Sequence, residues 1–164
     1  MIIIVCGVSG TGKSTIGALL AKVLGIPFYD GDDFHPAVNI EKMQSGRPLN
    51  DKDRRPWLDV MAAKLTEWAH QGGAVLACSA LKESYRERLA SQWTGKIRWV
   101  FLTGSEALLT ERINGRAGHF FDPALLRSQL DVLELPNYGV QIDITPSPDV
   151  IAGLIIDQLA KDDA

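Results

Sequence analysis

Cysteine is scarce in this chain: Cys6 and Cys78 are the only two among 164 residues, and each sits inside an apolar run. That excludes a disulfide scaffold and predicts two buried, reduced thiols. Long hydrophobic runs are missing as well, since nothing approaches the roughly 18–20 apolar residues of a membrane span. Met1–Cys6 is apolar but too short for a signal peptide, and Gly7 follows at once. The expectation is a cytoplasmic protein with no membrane partner. Basic charge is not in excess: 17 Lys and Arg stand against 20 Asp and Glu, a formal net charge of −3. This balance argues against nucleic acid as a partner. Repeats, low-complexity tracts and linker-like stretches are also wanting, so the length predicts one domain over residues 1–164.

What is present is the composition of an ordinary globular chain, 46% hydrophobic and 23% charged. The charge is unevenly distributed. Residues 1–127 carry 16 basic and 13 acidic side chains, whereas residues 128–164 carry one basic and seven acidic. The first portion can therefore hold a local site for anionic ligands despite the negative total.

Short apolar runs alternate with segments of helical periodicity, the pattern of an α/β fold around a mostly parallel sheet. Strands are predicted at Met1–Cys6, Pro27–Asp30, Ala74–Cys78, Arg98–Leu102 and Val140–Ile144. Ile16, Leu19, Leu20, Val23 and Leu24 fall on one helical stripe that Gly25 closes. Further helices are predicted over Val38–Ser45, from Trp57 to about Gln71, over Tyr85–Gln92 and over Ser105–Ile113. Asp122-Pro123 and Ser147-Pro148 each read as an N-cap followed by proline at the first helical position, opening the last two helices. Five strands, each followed by a helix, make a doubly wound domain.

The segment Gly7-Val8-Ser9-Gly10-Thr11-Gly12-Lys13-Ser14 fits the phosphate-binding pattern G-x-x-x-x-G-K-S/T. By composition it arises by chance in on the order of one in a few hundred chains of this length. Here it also lies directly between an apolar strand and an amphipathic helix. The glycines allow backbone N–H groups to turn inward around phosphates, and the helix presents its N-terminus to them. Lys13 is placed to reach the β- and γ-phosphates and Ser14 to ligate Mg²⁺. The spacing is not G-x-G-x-x-G, which disfavours a dinucleotide.

A P-loop specifies a nucleoside triphosphate but not its use. No Asn-Lys-x-Asp guanine motif is present, and the third and fourth strands run into Cys78-Ser79 and Leu102-Thr103, not the Asp-Glu pair of a motor or AAA-type ATPase. Acidic residues instead follow the second strand, in Asp30-Gly31-Asp32-Asp33-Phe34-His35. Ligands of open α/β sheets bind beyond the carboxyl ends of the strands, so Asp30 and Asp32 should face the phosphates. The division of labour that follows gives Asp30 to Mg²⁺ through water, and Asp32 to the proton of an attacking hydroxyl. Asp32 and Asp33 also suit a solvated turn or an N-cap, and His35 suits packing as well as ligation.

Asn50–Trp57 reads chiefly as a capped helix start with solvated charges, although Arg54 or Arg55 has the guanidinium fork that matches a carboxylate. Lys82, just past the third strand, is a similar candidate for an anionic acceptor. Arg112 and Arg116 are four apart, so on a helix they would share a face, and Gly115 and Gly118 flank the second of them. They read either as the arginines of a lid over the triphosphate, about residues 112–124, or as a basic helix end. His119-Phe120-Phe121 suits a lid tip or an apolar loop. Trp68, Trp93 and Trp99 are assigned to the core or to half-buried surface.

At this point the residues resemble a known family. Asp30-Gly31-Asp32-Asp33-Phe34-His35-Pro36, with Asn39, Lys42-Met43, Gly46 and Pro48-Leu49-Asn50-Asp51-x-Asp53-Arg54-x-Pro56-Trp57-Leu58, is similar to the gluconokinase signature. Cys78-Ser79-Ala80-Leu81-Lys82 with Tyr85-Arg86, Gly118-His119-Phe120, Ser128-Gln129 and Leu133-Glu134-x-Pro136 extend the likeness over nearly the whole chain. The resemblance implies a three-layer, nucleoside-monophosphate-kinase-like P-loop fold with sheet order 2-3-1-4-5. It also implies ATP and Mg²⁺, phosphorylation of D-gluconate at the 6-hydroxyl, and a homodimer. On this reading Lys13, Asp32 and Arg116 carry catalysis, Gly7–Thr15 with Arg112 and Arg116 hold the nucleotide, and Asp32, His35, Arg54 and Lys82 hold the acceptor. Shikimate kinases share the early Asp-x-Asp but show a glycine triplet where this chain has Ser79-Ala80-Leu81. Another kinase of this fold, acting on a hydroxy acid or a nucleoside monophosphate, and a non-catalytic ATP-binding module are the alternatives.

Overall fold

Strand β1 (Ile2–Cys6) is buried along its whole length, which four successive β-branched residues before Cys6 suit when both faces of a strand are covered. In the computed structural model, which describes residues 1–115 and 123–164, β1 is the centre of the sheet. It pairs in parallel with β3 (Ala74–Ala77), Ile4 opposite Leu76, and with β4 (Ile97–Thr103), Ile4 opposite Trp99. β2 (Phe28–Asp30) lies outside β3 and β5 (Val140–Asp143) outside β4, giving the order β2-β3-β1-β4-β5 with every pairing parallel. This is the order that the resemblance implies.

Parallel neighbours need right-handed crossovers, and those crossovers supply the outer layers. Helix α1 (Lys13–Leu24) packs on β3 and against α7 (Pro148–Asp162), which also covers β5. The chain moves in the opposite direction across the sheet through α3 (Asp51–His70) and α4 (Glu83–Ala90), and α3 packs on β1, β3 and α4. Three smaller helices, α2 (Ala37–Gln44), α5 (Glu106–Asn114) and α6 (Pro123–Val132), lie at the carboxyl ends of the strands or follow from them. Leu58, Met61, Leu65 and Trp68 form the buried stripe of α3, as their spacing predicts. Gly25, in the left-handed conformation, closes α1. Cys6 and Cys78 are buried free thiols, and burial pushes Cys78 up to about 12.

The long helix departs from its expected start. It begins at Asp51, not Trp57, so the charge run is its first turn and a half. Asn50 accepts from the Asp53 N–H at 2.8 Å while Asp53 accepts from the Asn50 N–H at 2.9 Å, a reciprocal capping box. Pro56 withholds one N–H inside the helix, and the carbonyl it leaves belongs to exposed Lys52, where water reaches it.

Candidate active site

The turn from β1 into α1 is built by close contacts that only glycine allows. A side chain at Gly10 would meet the Leu109 carbonyl and Ile113 of α5, and one at Gly7 the Leu102 carbonyl of β4. Gly12, at φ 87°, faces open space and ends the loop with no side chain capping α1. The first N–H groups of α1 are thus left to a ligand, with Ser14 and Thr15 exposed beside them. Val8 and Thr11 are buried, and the Val8 carbonyl accepts from the Thr11 hydroxyl at 2.8 Å and from the Lys13 ammonium at 3.0 Å. Burial lowers the Lys13 ammonium from its ordinary value, with Asp32 as the largest opposing influence.

The end of β2 brings the acids to this loop. Asp30 accepts from the Ser14 hydroxyl at 2.6 Å and from the Asp32 N–H at 3.0 Å, so one carboxylate joins the two segments. Gly31 between the acids is buried, and a Cβ there would stand 2.6 Å from the Ala77 carbonyl of β3. This close approach carries Asp32 over the end of β3. Asp32 remains open to solvent at the mouth of the site, yet burial by its surroundings raises its carboxyl above the ordinary value; Lys13 opposes this rise and Asp30 and Asp33 add to it.

These groups open on a cavity of about 580 Å³. Ser9, Lys13, Asp32 and Ser79 line it near the P-loop, and His35, Arg54 and Trp57 line it further in. Ile40, Met43 and Gln44 of α2 form one wall, and Leu125, Ser128 and Gln129 of α6 another. Arg54 is buried, and its Nη1 donates to the Leu49 carbonyl at 2.5 Å and the Tyr85 hydroxyl at 3.2 Å. Trp57 donates from Nε1 to the Gly31 carbonyl at 2.7 Å and stacks on His35, ring centroids 4.2 Å apart. Burial, with the charge of Arg54, lowers His35 to about 4.

Asp32, His35 and Arg54 therefore meet around one cavity with Lys13. Lys82 is absent from its lining: its ammonium pairs with Asp51 at 3.0 Å and lies over the Tyr85 ring. Arg112 donates to the Ile144 carbonyl at 2.6 Å, tying α5 to the end of β5. Arg116, with His119, Phe120 and Phe121, lies outside the described residues, as does Asp122. Trp57, Asn39 and Gln129 are cavity or support residues to which residue spacing alone assigned no role. Gln129 accepts from the Ser9 N–H of the P-loop at 2.8 Å, a contact 120 residues apart in sequence.

A P-loop between a central parallel strand and its helix, with a raised carboxyl beside its lysine and an adjoining cavity, defines a P-loop phosphotransferase of the small-molecule kinase class. The family described as an AAA domain matches residues 2–136, a P-loop match without the Asp-Glu pair expected of motor ATPases, since β3 here runs into Cys78-Ser79. A probable gluconokinase of Dictyostelium discoideum is 43% identical, covering 97% of this chain and 86% of that protein. The gluconokinase of Gluconobacter oxydans is 42% identical over 98% of this chain and 92% of its own. A gluconokinase crystal structure from Sinorhizobium meliloti superposes with a TM-score of 0.87 at 43% identity, covering 97% of this chain and 91% of that one. The chain belongs to this P-loop AAA-domain family and, within it, to the gluconokinases.

Proposed function

We propose that this enzyme transfers the γ-phosphoryl group of ATP to the 6-hydroxyl of D-gluconate, giving 6-phospho-D-gluconate and ADP. The observation that carries the reading is the meeting of Asp32, with its raised carboxyl, and the P-loop Lys13 at a cavity that also contains Arg54 and His35. Asp32 accepts the proton of the attacking hydroxyl, and its raised affinity for protons suits a base of that kind. Lys13 leaves the Val8 carbonyl to meet the phosphates, whose charge stabilises the ammonium that burial disfavours. Arg54 keeps Nη1 bonded to the protein and offers its other N–H groups to the acceptor's carboxylate.

Mg²⁺ would be held by Ser14 directly and by Asp30 through water, hard oxygen donors that already lie 2.6 Å apart. When bound it neutralises charge on the phosphate oxygens. Arg112 and Arg116 are assigned to the triphosphate side, with about residues 112–124 as a lid, and the whole of 1–164 as one kinase domain. Lys82 acts on the acceptor only after exchanging Asp51 for it. Pairing into a homodimer and a cytoplasmic setting complete the reading. No helix among the described residues is long and apolar enough to cross a membrane, and sedimentation velocity tests the pairing.

Coupled ADP release over a panel of sugar acids, shikimate and nucleoside monophosphates tests the reaction. Release that depends on gluconate and exceeds that with every other acceptor is the expected result. Release only with a monophosphate or with shikimate would replace the acceptor, and no acceptor-dependent release would leave a non-catalytic ATP-binding module.

A further inference from the structure

Asn39 is a polar side chain buried to 2% exposure in α2, and its amide has a fixed orientation. Its Nδ2 lies 2.9 Å from the backbone carbonyl of Asp53, which only accepts, so the nitrogen end of the amide must face that carbonyl. The same Nδ2 lies 3.2 Å from Nδ1 of His35. An amide nitrogen has protons to give and no lone pair to offer, so Nδ1 of His35 must be the acceptor and carry no proton. The protonated ring, with N–H on both nitrogens, would set donor against donor. A neutral His35 with its proton on Nε2 satisfies the contact.

The surroundings fix the ring in the same state. Trp57 stacks on it, 13° from parallel, and is itself pinned to the Gly31 carbonyl. The guanidinium of Arg54 opposes a second positive charge, and the ring's low proton affinity, about 4, agrees. Lys42 adds a cation on the Asp53 side, bonded to that carboxylate at 2.6 Å. Nε2–H is left as the ring's one polar edge without a partner among the described residues, on a side chain that lines the cavity.

We infer that Asn39 is a positioning residue that holds His35 as the neutral Nε2–H tautomer, so that His35 donates a hydrogen bond to a hydroxyl oxygen of the acceptor. The inference rests on the acceptor reading above and deepens it. The cavity divides recognition into a guanidinium for the acceptor's charge, a carboxylate for the reacting hydroxyl, and a neutral donor for a second hydroxyl. The Asn39 contact excludes a charged His35, which leaves Arg54 as the cation for the acceptor's carboxylate.

Long-range ¹⁵N–¹H correlation spectra of the whole ¹⁵N-histidine-labelled protein at pH 7 read the tautomer directly, with His35→Gln assigning the signal. The expected pattern for His35 is Nε2–H with a bare Nδ1; an Nδ1–H or doubly protonated ring overturns the inference. In Asn39→Asp the new acceptor reverses the preference, and His35 shows Nδ1–H or a charged ring. Asn39→Ser, if the aspartate variant fails to fold, loses the fixed tautomer. In kinetics, His35→Gln keeps an N–H donor where His35→Leu has none. The expected gap is about ten-fold in KM for gluconate, with KM for ATP moving less than about two-fold. Equal losses in the two variants overturn the donor role. Wild-type protein silent toward gluconate fails the acceptor reading alone, while the spectra still decide the tautomer.

Discussion

At Asp32 two influences oppose each other: burial raises the carboxyl, and the Lys13 ammonium lowers it, with burial the larger. The reaction needs the carboxylate form. Activity therefore falls as pH drops through a value raised from that of an ordinary aspartate, and the acid limb of kcat/KM against pH measures it. Asp32→Asn removes the base and lowers kcat by about 10²–10⁴-fold while ATP affinity, read by calorimetry, holds. Near-wild-type turnover in that variant removes Asp32 from the mechanism. His35 has the opposite sign: its folded ring binds a proton less tightly than the unfolded one, about 4 against 6.5. Its contribution to stability is complete above the unfolded value and is lost as pH falls through that interval. Thermal melts from pH 7 to pH 4 should thus fall less steeply for His35→Leu than for the wild type. Asp32 and Lys13 were legible because each belongs to a short local motif. Trp57 and Gln129 were not, because their roles come from partners 26 and 120 residues away, Gly31 and Ser9.

The element that most shapes the acceptor side is α3, whose start departs from the expected Trp57 for a physical reason. Pro56 and the preceding charges look like a boundary, but the Asn50–Asp53 capping box satisfies the helix start six residues earlier. That earlier start places Arg54 inside the helix, where it is buried against Leu49 and Tyr85 instead of solvated. Asn50→Ala removes one arm of the box and should lower stability by about 1 kcal/mol, read by urea titration at constant m. A loss no greater than that of an exposed control alanine contradicts the assignment. The turn after β2 is less forgiving. Gly31→Ala puts a methyl 2.6 Å from the Ala77 carbonyl, a backbone atom that cannot swing aside. Relief requires the Asp30–Asp32 turn to shift, so stability should fall by about 1–3 kcal/mol and turnover should fall with it. Turnover intact beside lowered stability would show that this turn does not position Asp32. The strands, by contrast, are legible as apolar runs, most plainly β1 and β3, which are buried on both faces, and their order follows from the family likeness.

Across the whole molecule the uneven charge finds its place in the fold. The basic portion, residues 1–127, holds the P-loop, the Asp30–Arg54 region and α5, where two anionic substrates meet on this account. Beyond Ser128 and Gln129, which line the cavity, the acidic portion supplies β5 and α7, which pack on the sheet and on α1. Mg·ATP binding to the folded chain alone should raise the melting temperature with nucleotide concentration, by the equivalent of about 2.7 kcal/mol at a hundred-fold excess over Kd. Lys13→Ala should abolish most of that shift. The central claim is phosphoryl transfer to a primary hydroxyl of gluconate, and ³¹P NMR of the reaction mixture tests it most directly. The account predicts a new phosphomonoester signal whose phosphorus couples to the two C6 methylene protons, growing one for one with ADP. Phosphorus coupled to any other position, or ADP and inorganic phosphate without a monoester, would contradict it.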